Sequence, residues 1–339
     1  MNVLITGGFG CIGAWIIKNL LEKQHSICVF DIKQDNSRLE LILSASEIAK
    51  VKYVSGDVTD VKALTDCLHK NEITHIIHLA GLQVPTCRAN PILGATVNVI
   101  GTLAVFESIL ALKNQIQQLV YASSAAVFGA PNRYPTLAQE PLSDDSPLYP
   151  STHYGYFKCC NEGNAKIYYQ DFGISSIGLR PWTVYGVGRD LGMTSEPTKA
   201  IKSVALNRPY HINYGGFQDL QLVDDVAKTF VRCLEVPYKG AKSYNMRGAV
   251  VDLPTFCQTL YKVEPSAAKL ITHGDQQIAI AYNLDDQGLE NDLGPMPKTP
   301  LSQGIETTLK MFQSLHQQGK LSTTDLETAK PKAVVLNEA

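Results

Sequence analysis

Tyr154 and Lys158 have the side-chain types and the spacing of an acid–base pair. They are four residues apart in a stretch, Tyr154–Phe172, whose pattern predicts a helix. Residues i and i+4 share one helix face, so the phenol and the ammonium group would point into the same cleft. A tyrosine titrates near ~10 in water, and a neighbouring cation lowers that pKa toward the range of a useful proton donor and acceptor. The same spacing also occurs by chance on helices, so this prediction depends on what surrounds the pair.

Two serines and one asparagine fall where they could assist the pair, and we also expect Ser123 and Asn98 to contact a bound cofactor. Ser123 and Ser124 end a predicted strand, Gln118–Ser123, and a serine hydroxyl at that edge can hydrogen-bond the reacting oxygen. Asn98 lies inside a long predicted helix, Pro91–Leu112, where a buried amide would order a water molecule or fix a helix bend.

A glycine-rich turn close to the N-terminus predicts a phosphate site. Gly7, Gly10 and Gly13 follow a predicted strand and open a predicted helix, with Cys11 and Ile12 between the last two. Glycines allow a tight turn and a close approach of the backbone to a pyrophosphate, and the helix N-terminus offers free N–H groups to the phosphates. The alternative is an ordinary tight turn, which this position between strand and helix makes the weaker reading.

Asp31 predicts which dinucleotide would bind. It ends the second predicted strand, where a carboxylate accepts hydrogen bonds from the adenosine ribose and repels the additional phosphate of NADP. An ordinary turn carboxylate is the alternative, and Lys33 nearby would soften the preference. We therefore expect NAD. Other residues at the ends of predicted strands would line the same cofactor, namely Asp57, Val58, Leu79, Ala80 and Gly81.

The elements that must position these residues alternate between strands and helices. The strand candidates are Asn2–Thr6, Ser26–Asp31, Lys52–Ser55, His75–Ala80, Gln118–Ser123 and Ile174–Arg180. The helical patterns are Gly13–Lys23, Val61–Asn71, Pro91–Leu112 and Tyr154–Phe172. This alternation predicts an α/β fold with a doubly wound parallel sheet of the Rossmann type, whose strand ends meet at one edge.

The alternation breaks after Pro181 and predicts a second, smaller α/β lobe for the substrate. Residues 182–216 and 237–320 are irregular and rich in polar residues, whereas Gln221–Leu234 reads as a strand end, a cap at Asp224–Asp225 and a helix. We expect the NAD-binding domain to comprise residues 1–181 and about 217–236, and residues 321–339 to form a flexible tail.

Composition favours a cytoplasmic protein with a small-molecule substrate. The chain has 339 residues and a formal net charge of −2, which gives no reason to expect a nucleic acid or an anionic membrane as a partner. The eight cysteines form no zinc-binding pattern, so we expect reduced thiols and no metal. The N-terminus does not read as a signal peptide, and no apolar run approaches the ~18 residues of a membrane helix.

Taken together, these residues resemble the extended short-chain dehydrogenase/reductases of the NAD-dependent epimerase/dehydratase type. The resemblance runs in order over about residues 1–315. Its segments are Thr6–Gly13, Asp31, Gly56–Val58, His78–Gly81, Asn98–Thr102, Tyr121–Gly129, Tyr154 with Lys158, Leu179–Gly186, Val223–Ala227 and Leu301–Ile305.

The resemblance implies a role for each of the matching residues. Tyr154 would be the acid/base, Lys158 would lower its pKa and hold the nicotinamide ribose, and Ser124, rather than Ser123, would bind the substrate oxygen. Pro181 and Val184 would lie beside the nicotinamide amide. A homodimer through Pro91–Leu112 and Tyr154–Phe172 is also implied.

The substrate-binding residues are predicted from position in the chain. Gln83 follows the fourth strand, Ala125 follows Ser124, His153 precedes Tyr154, and Arg189 lies in a polar loop. Many relatives that bind nucleotide sugars carry an asparagine where this chain has Thr183, and an arginine within the stretch that here reads Gly215–Gln221 and contains no cation. We therefore expect weak binding of a free nucleoside diphosphate.

Three functions are compatible with the sequence. The first is NAD-dependent modification of a sugar or sugar derivative through transient oxidation of a carbinol, as in epimerases and dehydratases. The second is a simple NAD-dependent dehydrogenase or reductase of a small polyol, hydroxy acid or ketone, which the missing phosphate ligands favour. The third is a non-catalytic NAD-sensing protein, which would have no need of Tyr154, Lys158 and Ser124.

Overall fold

A computed structural model describes residues 1–327 and contains a central sheet of seven parallel strands. The order across the sheet is β3-β2-β1-β4-β5-β6-β10, and every neighbouring pair is parallel. The strands are β1 Asn2–Thr6, β2 Ser26–Asp31, β3 Lys52–Ser55, β4 His75–His78, β5 Gln118–Ala122, β6 Ser176–Arg180 and β10 Ala241–Asn245. The predicted doubly wound α/β fold is confirmed.

Helices cover both faces of this sheet. The first seven are α1 Cys11–Glu22, α2 Ala45–Ile48, α3 Val61–Lys70, α4 Val84–Ala89, α5 Pro91–Ala95, α6 Gly101–Ala111 and α7 His153–Phe172. The others are α8 Glu196–Ala205, α9 Val223–Glu235, α10 Leu253–Val263, α11 Ala267–Leu270, α12 Gln287–Leu293, α13 Leu301–Gln317 and α14 Thr324–Glu327. Strands β1 and β4 consist almost wholly of buried residues, as expected of parallel strands that are covered on both faces.

Two small sheets accompany the central one. In the first, β9 (Phe217–Leu222) pairs in parallel with β7 (Thr183–Tyr185) and antiparallel with β11 (Ala249–Asp252). In the second, β8 (Tyr210–Ile212) pairs with β12 (Ile271–His273). The stretch 182–216, predicted to be irregular, therefore contains two strands and helix α8. Sequence periodicity missed the two strands because each has only three residues.

Strand β10 corrects the predicted division of the chain. Its residues fall within 237–320, the range assigned to the substrate lobe, yet it pairs with β6 and forms one edge of the central sheet. The rest of the domain division remains a prediction. The predicted cap at Asp224–Asp225 is wrong, because Leu222 occupies the N-cap position and both aspartates lie in the first turn of α9. Asp225 accepts hydrogen bonds from the backbone and hydroxyl groups of Thr299.

The long helical stretch Pro91–Ala111 contains a π-helical turn, Thr96–Ile100, between α5 and α6. Its length and mean hydropathy would suffice for a membrane span, so the statement that no apolar run approaches that length is wrong. Half of its most apolar window is buried inside the protein. That burial is what a core helix of this fold requires, since α6 packs on α3 and α7.

The first residues of the predicted tail pack against the fold. Leu321 and Leu326 contact the main hydrophobic core, and Asp325 forms an ion pair of 2.6 Å with the buried Lys202 of α8. Residues 321–327 are therefore anchored rather than free. The remainder of the predicted tail, residues 328–339, lies outside the described residues.

Candidate active site

A cleft of about 450 Å³ runs along the carboxyl edge of the central sheet. It is lined by the loops that follow β1, β2, β3, β4, β5 and β6, as the parallel topology predicts. Predicted cofactor residues that line it are Gly7, Gly10, Cys11, Ile12, Gly13, Asp31, Asp57, Val58, Leu79, Ala80, Gly81, Ser123, Tyr154, Lys158, Pro181 and Val184.

The glycine-rich turn packs backbone against backbone too closely to admit a side chain. Gly7 has φ +68°, and a Cβ atom there would lie 2.7 Å from the backbone nitrogen of Ala80. A Cβ on Gly13 would lie 2.5 Å from the carbonyl oxygen of Gly8. Helix α1 begins after Gly10, and its N-terminus has no side-chain cap and no acidic residue in its first turn. Such an uncapped N-terminus beside a side-chain-free cradle fits the pyrophosphate of a dinucleotide.

Two carboxylates line the opposite wall of this part of the cleft. Asp31 ends β2 and accepts a hydrogen bond of 2.8 Å from the backbone of Ile32, while burial raises the pKa of its carboxyl group. Asp57 accepts hydrogen bonds from the backbone and hydroxyl groups of Thr59 at 2.9 and 2.8 Å. Both carboxylates are held at the cleft, and Asp31 has the position expected of a ribose ligand.

Tyr154, Lys158 and Ser124 converge at the other end of the cleft. Helix α7 carries Tyr154 and Lys158 on one face, and the Lys158 ammonium lies 5.5 Å from the centre of the Tyr154 ring. Lys158 also donates a hydrogen bond of 2.6 Å to the carbonyl oxygen of Ala122, the last residue of β5. The Ser124 hydroxyl hydrogen-bonds the Tyr154 phenol and caps the backbone of Ala126. The structure therefore brings the three predicted groups together.

The electrostatics of this group differ from the prediction. Burial raises the pKa of Tyr154, and the groups that lower it are Ser124, through its hydrogen bond, and the Arg189 guanidinium. Burial also lowers the pKa of Lys158 to about 8. The expectation that Lys158 lowers the Tyr154 pKa is thus not supported within the chain. The reason is that the Lys158 ammonium is turned toward the Ala122 carbonyl.

Ser123 and Asn98 use their side chains inside the protein. The Ser123 hydroxyl donates to the Glu162 carboxylate at 2.5 Å, so only the rest of Ser123 faces the cleft. Asn98 does not line the cleft, which corrects its assignment to catalysis and cofactor binding. Its amide is occupied by the backbone N–H and carbonyl of Leu82, at 3.0 and 3.1 Å. Asn98 lies in the π-helical turn and fixes the loop after β4.

The substrate end of the cleft contains some of the predicted residues and excludes others. Gln83, Ala125 and Arg189 line it together with Ser124 and Tyr154. His153 and Thr183 do not, so these two predictions are corrected. His153 is exposed beside Phe157, with ring centres 6.2 Å apart. Thr183 is buried in β7.

A hydrogen bond inside the protein fixes the direction of the buried Thr183 side chain. Its hydroxyl donates a hydrogen bond of 3.1 Å to Gln218, which the Tyr214 hydroxyl also approaches at 3.4 Å. Among the charged side chains that line the cleft, Arg189 is the cation of the substrate end. Its Nη2 donates to Thr194 at 3.0 Å, and its Nε is buried without a partner among the described residues.

A model of the NAD dependent epimerase/dehydratase family matches residues 3–246, which is most of the chain and includes every group described above except the C-terminal part of the substrate lobe. The chain belongs to this family. The predicted resemblance is therefore confirmed, and so are an NAD-dependent enzyme and NAD as its cofactor.

Relatives of this epimerase/dehydratase chain match it over nearly its whole length. UDP-glucose 4-epimerase of Mycolicibacterium smegmatis is 27% identical over 94% of this chain and 100% of its own. UDP-glucuronate 4-epimerase 3 of Arabidopsis thaliana is 26% identical over 94% of this chain and 78% of its own. The crystal structure of Thermus thermophilus UDP-glucose 4-epimerase in complex with NAD has a TM-score of 0.77 and 23% identity, covering 92% of this chain and 99% of that one.

Several cleft residues of this family member escaped sequence reasoning. Trp182 lines the cleft and donates from its indole to the carbonyl oxygen of Ala281 at 2.6 Å. That bond places Ile280, which precedes Ala281 and lies about a hundred residues further along the chain, in the lining of the cleft. Met193 and Thr194 complete this wall. Proximity to the Arg180-Pro181 motif was the available signal for Trp182, whereas no local pattern marked Ile280.

Proposed function

We propose that this chain modifies a sugar or sugar derivative by transient NAD-dependent oxidation of a carbinol, as an epimerase or dehydratase does. The observation that carries the proposal is the convergence of Tyr154, Lys158 and Ser124 at one end of a cleft that fits a dinucleotide. A non-catalytic NAD-binding protein would need the cleft but not this convergence.

The cofactor would lie along the cleft from the glycine turn to the tyrosine. The pyrophosphate would occupy the cradle of Gly7 and Gly13 at the N-terminus of α1, and the adenosine ribose would bind Asp31. Lys158 would hold the second ribose with those of its three N–H donors that Ala122 does not use. When bound, NAD supplies the hydride acceptor.

The chain supplies the proton transfer. The substrate hydroxyl would enter between the Ser124 hydroxyl and the Tyr154 phenol, which already share a hydrogen bond. Ser124 would fix the oxygen, and Tyr154 would take its proton as the carbinol is oxidised and return one when the ketone is reduced. Burial raises the pKa of the Tyr154 phenol in the free chain, so accepting the proton requires the phenolate, which the positive charge of a bound nicotinamide would favour.

Arg189 supports a substrate that carries a negative charge. It lines the substrate end, it is close enough to Tyr154 to lower the pKa of the phenol, and its Nε has no partner among the described residues. Guanidinium groups pair well with carboxylates and phosphates. A UDP-sugar and a sugar acid both fit this chemistry, and the relatives include enzymes named for UDP-glucose and for UDP-glucuronate.

A product assay tests the proposed function. The protein is incubated with NAD and, separately, with UDP-glucose, UDP-glucuronic acid and free glucuronic acid, and the sugar is followed by NMR while NADH is followed by absorbance. We expect a new sugar without stoichiometric NADH. Stoichiometric NADH would instead identify a simple dehydrogenase. The hydrogen bond between Thr183 and Gln218 favours this alternative, because the two side chains contact each other instead of a substrate diphosphate. Binding of NAD with no turnover of any member of a broad sugar and hydroxy-acid panel would support an NAD sensor.

We also propose that the chain forms a homodimer and resides in the cytoplasm. The helical stretch Pro91–Ala111 and helix α7 expose large apolar side chains, which are Ile92, Leu93, Ile100, Tyr156, Ile167, Tyr169 and Phe172. Light scattering should give twice the monomer mass, and Ile100→Lys with Ile167→Lys should halve it. The free state of all eight cysteines supports a reducing compartment.

A further inference from the structure

A buried ion pair lies directly behind the reacting groups. Tyr154, Lys158 and Glu162 succeed one another at intervals of four residues on α7, so they share one face of the helix. Glu162 and Arg180 are each 4% exposed, and they form a bidentate pair through Nε–Oε1 at 2.8 Å and Nη2–Oε2 at 2.7 Å.

This pair is tied to two strands of the sheet, β6 and β10. Arg180 is the last residue of β6, and its Nη1 donates to the backbone carbonyl of Asp144 at 2.8 Å and to the side chain of Asn245, at the end of β10, at 3.1 Å. Removing two charges from water costs free energy that their attraction often fails to return, so such a pair is weak evidence for stability alone. The position of the pair behind the active site therefore indicates a role other than stabilising the fold.

The connection from the pair to the site passes through three consecutive residues. Ser123 donates its hydroxyl proton to Glu162 at 2.5 Å. On one side of Ser123, the Ala122 carbonyl accepts the bond from Lys158 at 2.6 Å. On the other side, Ser124 hydrogen-bonds Tyr154. The Glu162 carboxylate therefore fixes the peptide segment that contacts both reacting side chains.

We propose that Glu162, held by Arg180, is a positioning residue that keeps Lys158 charged and holds the Ala122–Ser124 segment against Tyr154 and Lys158. This inference rests on the proposed function only in assigning Lys158 to the active site. It adds to that function a buried anion two helical turns from Tyr154 and outside the lining of the cleft.

The charges around Lys158 agree with this role. Burial lowers the Lys158 pKa to about 8, and the groups that raise it are first Cys87, on α4, and then Glu162, on its own helix. His78 of β4 also faces Lys158, but burial lowers the His78 pKa to about 3, so that it is neutral. The centre of the Tyr154 ring lies 5.5 Å from the ammonium. Burial raises the pKa of the Cys87 thiol, so the Glu162 carboxylate, which is paired with Arg180, is the anion that offsets the burial of the ammonium.

The test measures the charge of Lys158 directly and needs no substrate. In protein labelled with ¹³C-lysine, the Lys158 signal is identified by its loss in K158M, and its chemical shift is followed against pH in the parent and in Glu162→Gln. We expect the Lys158 pKa to fall by roughly one unit in E162Q and the pH at which NAD binding weakens to fall with it. An unchanged Lys158 pKa in folded E162Q would overturn the proposal.

Two further variants separate charge from contact and from folding. Ser123→Ala removes the hydroxyl but leaves the Glu162–Arg180 pair, so the Lys158 pKa should stay near the parental value. An equal fall in S123A would overturn the electrostatic role. If E162Q does not fold, E162Q/R180M removes both charges and avoids an unpaired buried guanidinium. A smaller fall in the Lys158 pKa is expected there, because the double change also removes the like charge of Arg180, and its absence would again overturn the proposal. Lack of turnover in the parent would count against the proposed function alone.

Discussion

The Lys158 ammonium group donates a hydrogen bond of 2.6 Å to the carbonyl oxygen of Ala122, across the gap between helix α7 and the end of β5. This bond places the cation beside the Tyr154 ring and at the cleft, although the side chain is 6% exposed. Burial lowers its pKa to about 8. The pKa of Lys158 is therefore close to neutral pH, so a small change in pH changes the charge of its side chain.

This pKa predicts how cofactor binding depends on pH. The ammonium form of Lys158 prevails below about pH 8 and is lost as the pH rises through that value. Because we expect the ammonium to hold the nicotinamide ribose, NAD affinity should decline above pH 8 in the parent. In Lys158→Met, affinity should be weaker by about tenfold at pH 7 and should show no decline near pH 8. Calorimetric titration between pH 6.5 and 9.5 measures both, and a decline that persists in K158M would contradict the assignment.

Tyr154→Phe should abolish turnover and leave NAD binding nearly intact. The change removes the transferable proton while keeping the ring, and general acid–base catalysis contributes about 10²–10⁴-fold. Tyr156→Phe is the matched control, because Tyr156 lies on the same helix but is 62% exposed and does not line the cleft. Y156F should keep parental activity. A kcat of Y154F within a factor of two of the parent would remove Tyr154 from the mechanism.

Sequence reasoning located the first half of the fold because parallel strands and their helices have strong local patterns. β1, β2 and β3 have the predicted bounds, and α3 and α7 differ from theirs by one residue. Strands β7 and β8 of the small sheets were missed, since they have only three residues each and are defined by partners distant in the chain.

The candidate site was predictable where a motif fixes the backbone, as at Gly7, and less so where a side chain has a choice of direction. Ser123 and Ser124 are adjacent, yet one hydroxyl points to Glu162 and the other to Tyr154. Thr183 was predicted to face the substrate, but the alternation of β7 turns it toward Gln218. Such directions depend on tertiary neighbours that no local pattern reveals.

Asp31→Ser should narrow the preference for NAD over NADP. The Asp31 carboxylate lines the cleft at the end of β2, where it would repel the additional phosphate of NADP. Asp35→Ser is the matched control, because Asp35 belongs to the same loop but does not line the cleft and instead accepts a hydrogen bond from the Ser37 backbone. The ratio of dissociation constants should fall in D31S and stay parental in D35S. Equal affinity of the parent protein for the two dinucleotides would refute the premise.

Free UDP and GDP should bind weakly, with dissociation constants near the millimolar range, about −4 kcal/mol. A pyrophosphate in a partly buried cleft needs charge-assisted hydrogen bonds to offset its desolvation. Thr183 and Gln218 are buried and bonded to each other, and the stretch Gly215–Gln221 contains no cation. Arg88, on α4, is exposed and does not line the cleft. Calorimetric titration in the presence of NAD measures both affinities.

Substitution of Arg189 determines how tight binding of UDP would be interpreted. It is the cation at the substrate end, and its proximity to Tyr154 favours contact with a charged group near the reacting carbon rather than with a distant diphosphate. Arg189→Ala should therefore weaken an anionic sugar more than it weakens UDP, whereas Arg88→Ala should change neither. A dissociation constant for UDP of about 10 μM or tighter, roughly −7 kcal/mol, would contradict the prediction. If R189A then abolished UDP binding, the guanidinium would be the phosphate ligand, and the negative charge that it recognises would belong to the nucleotide.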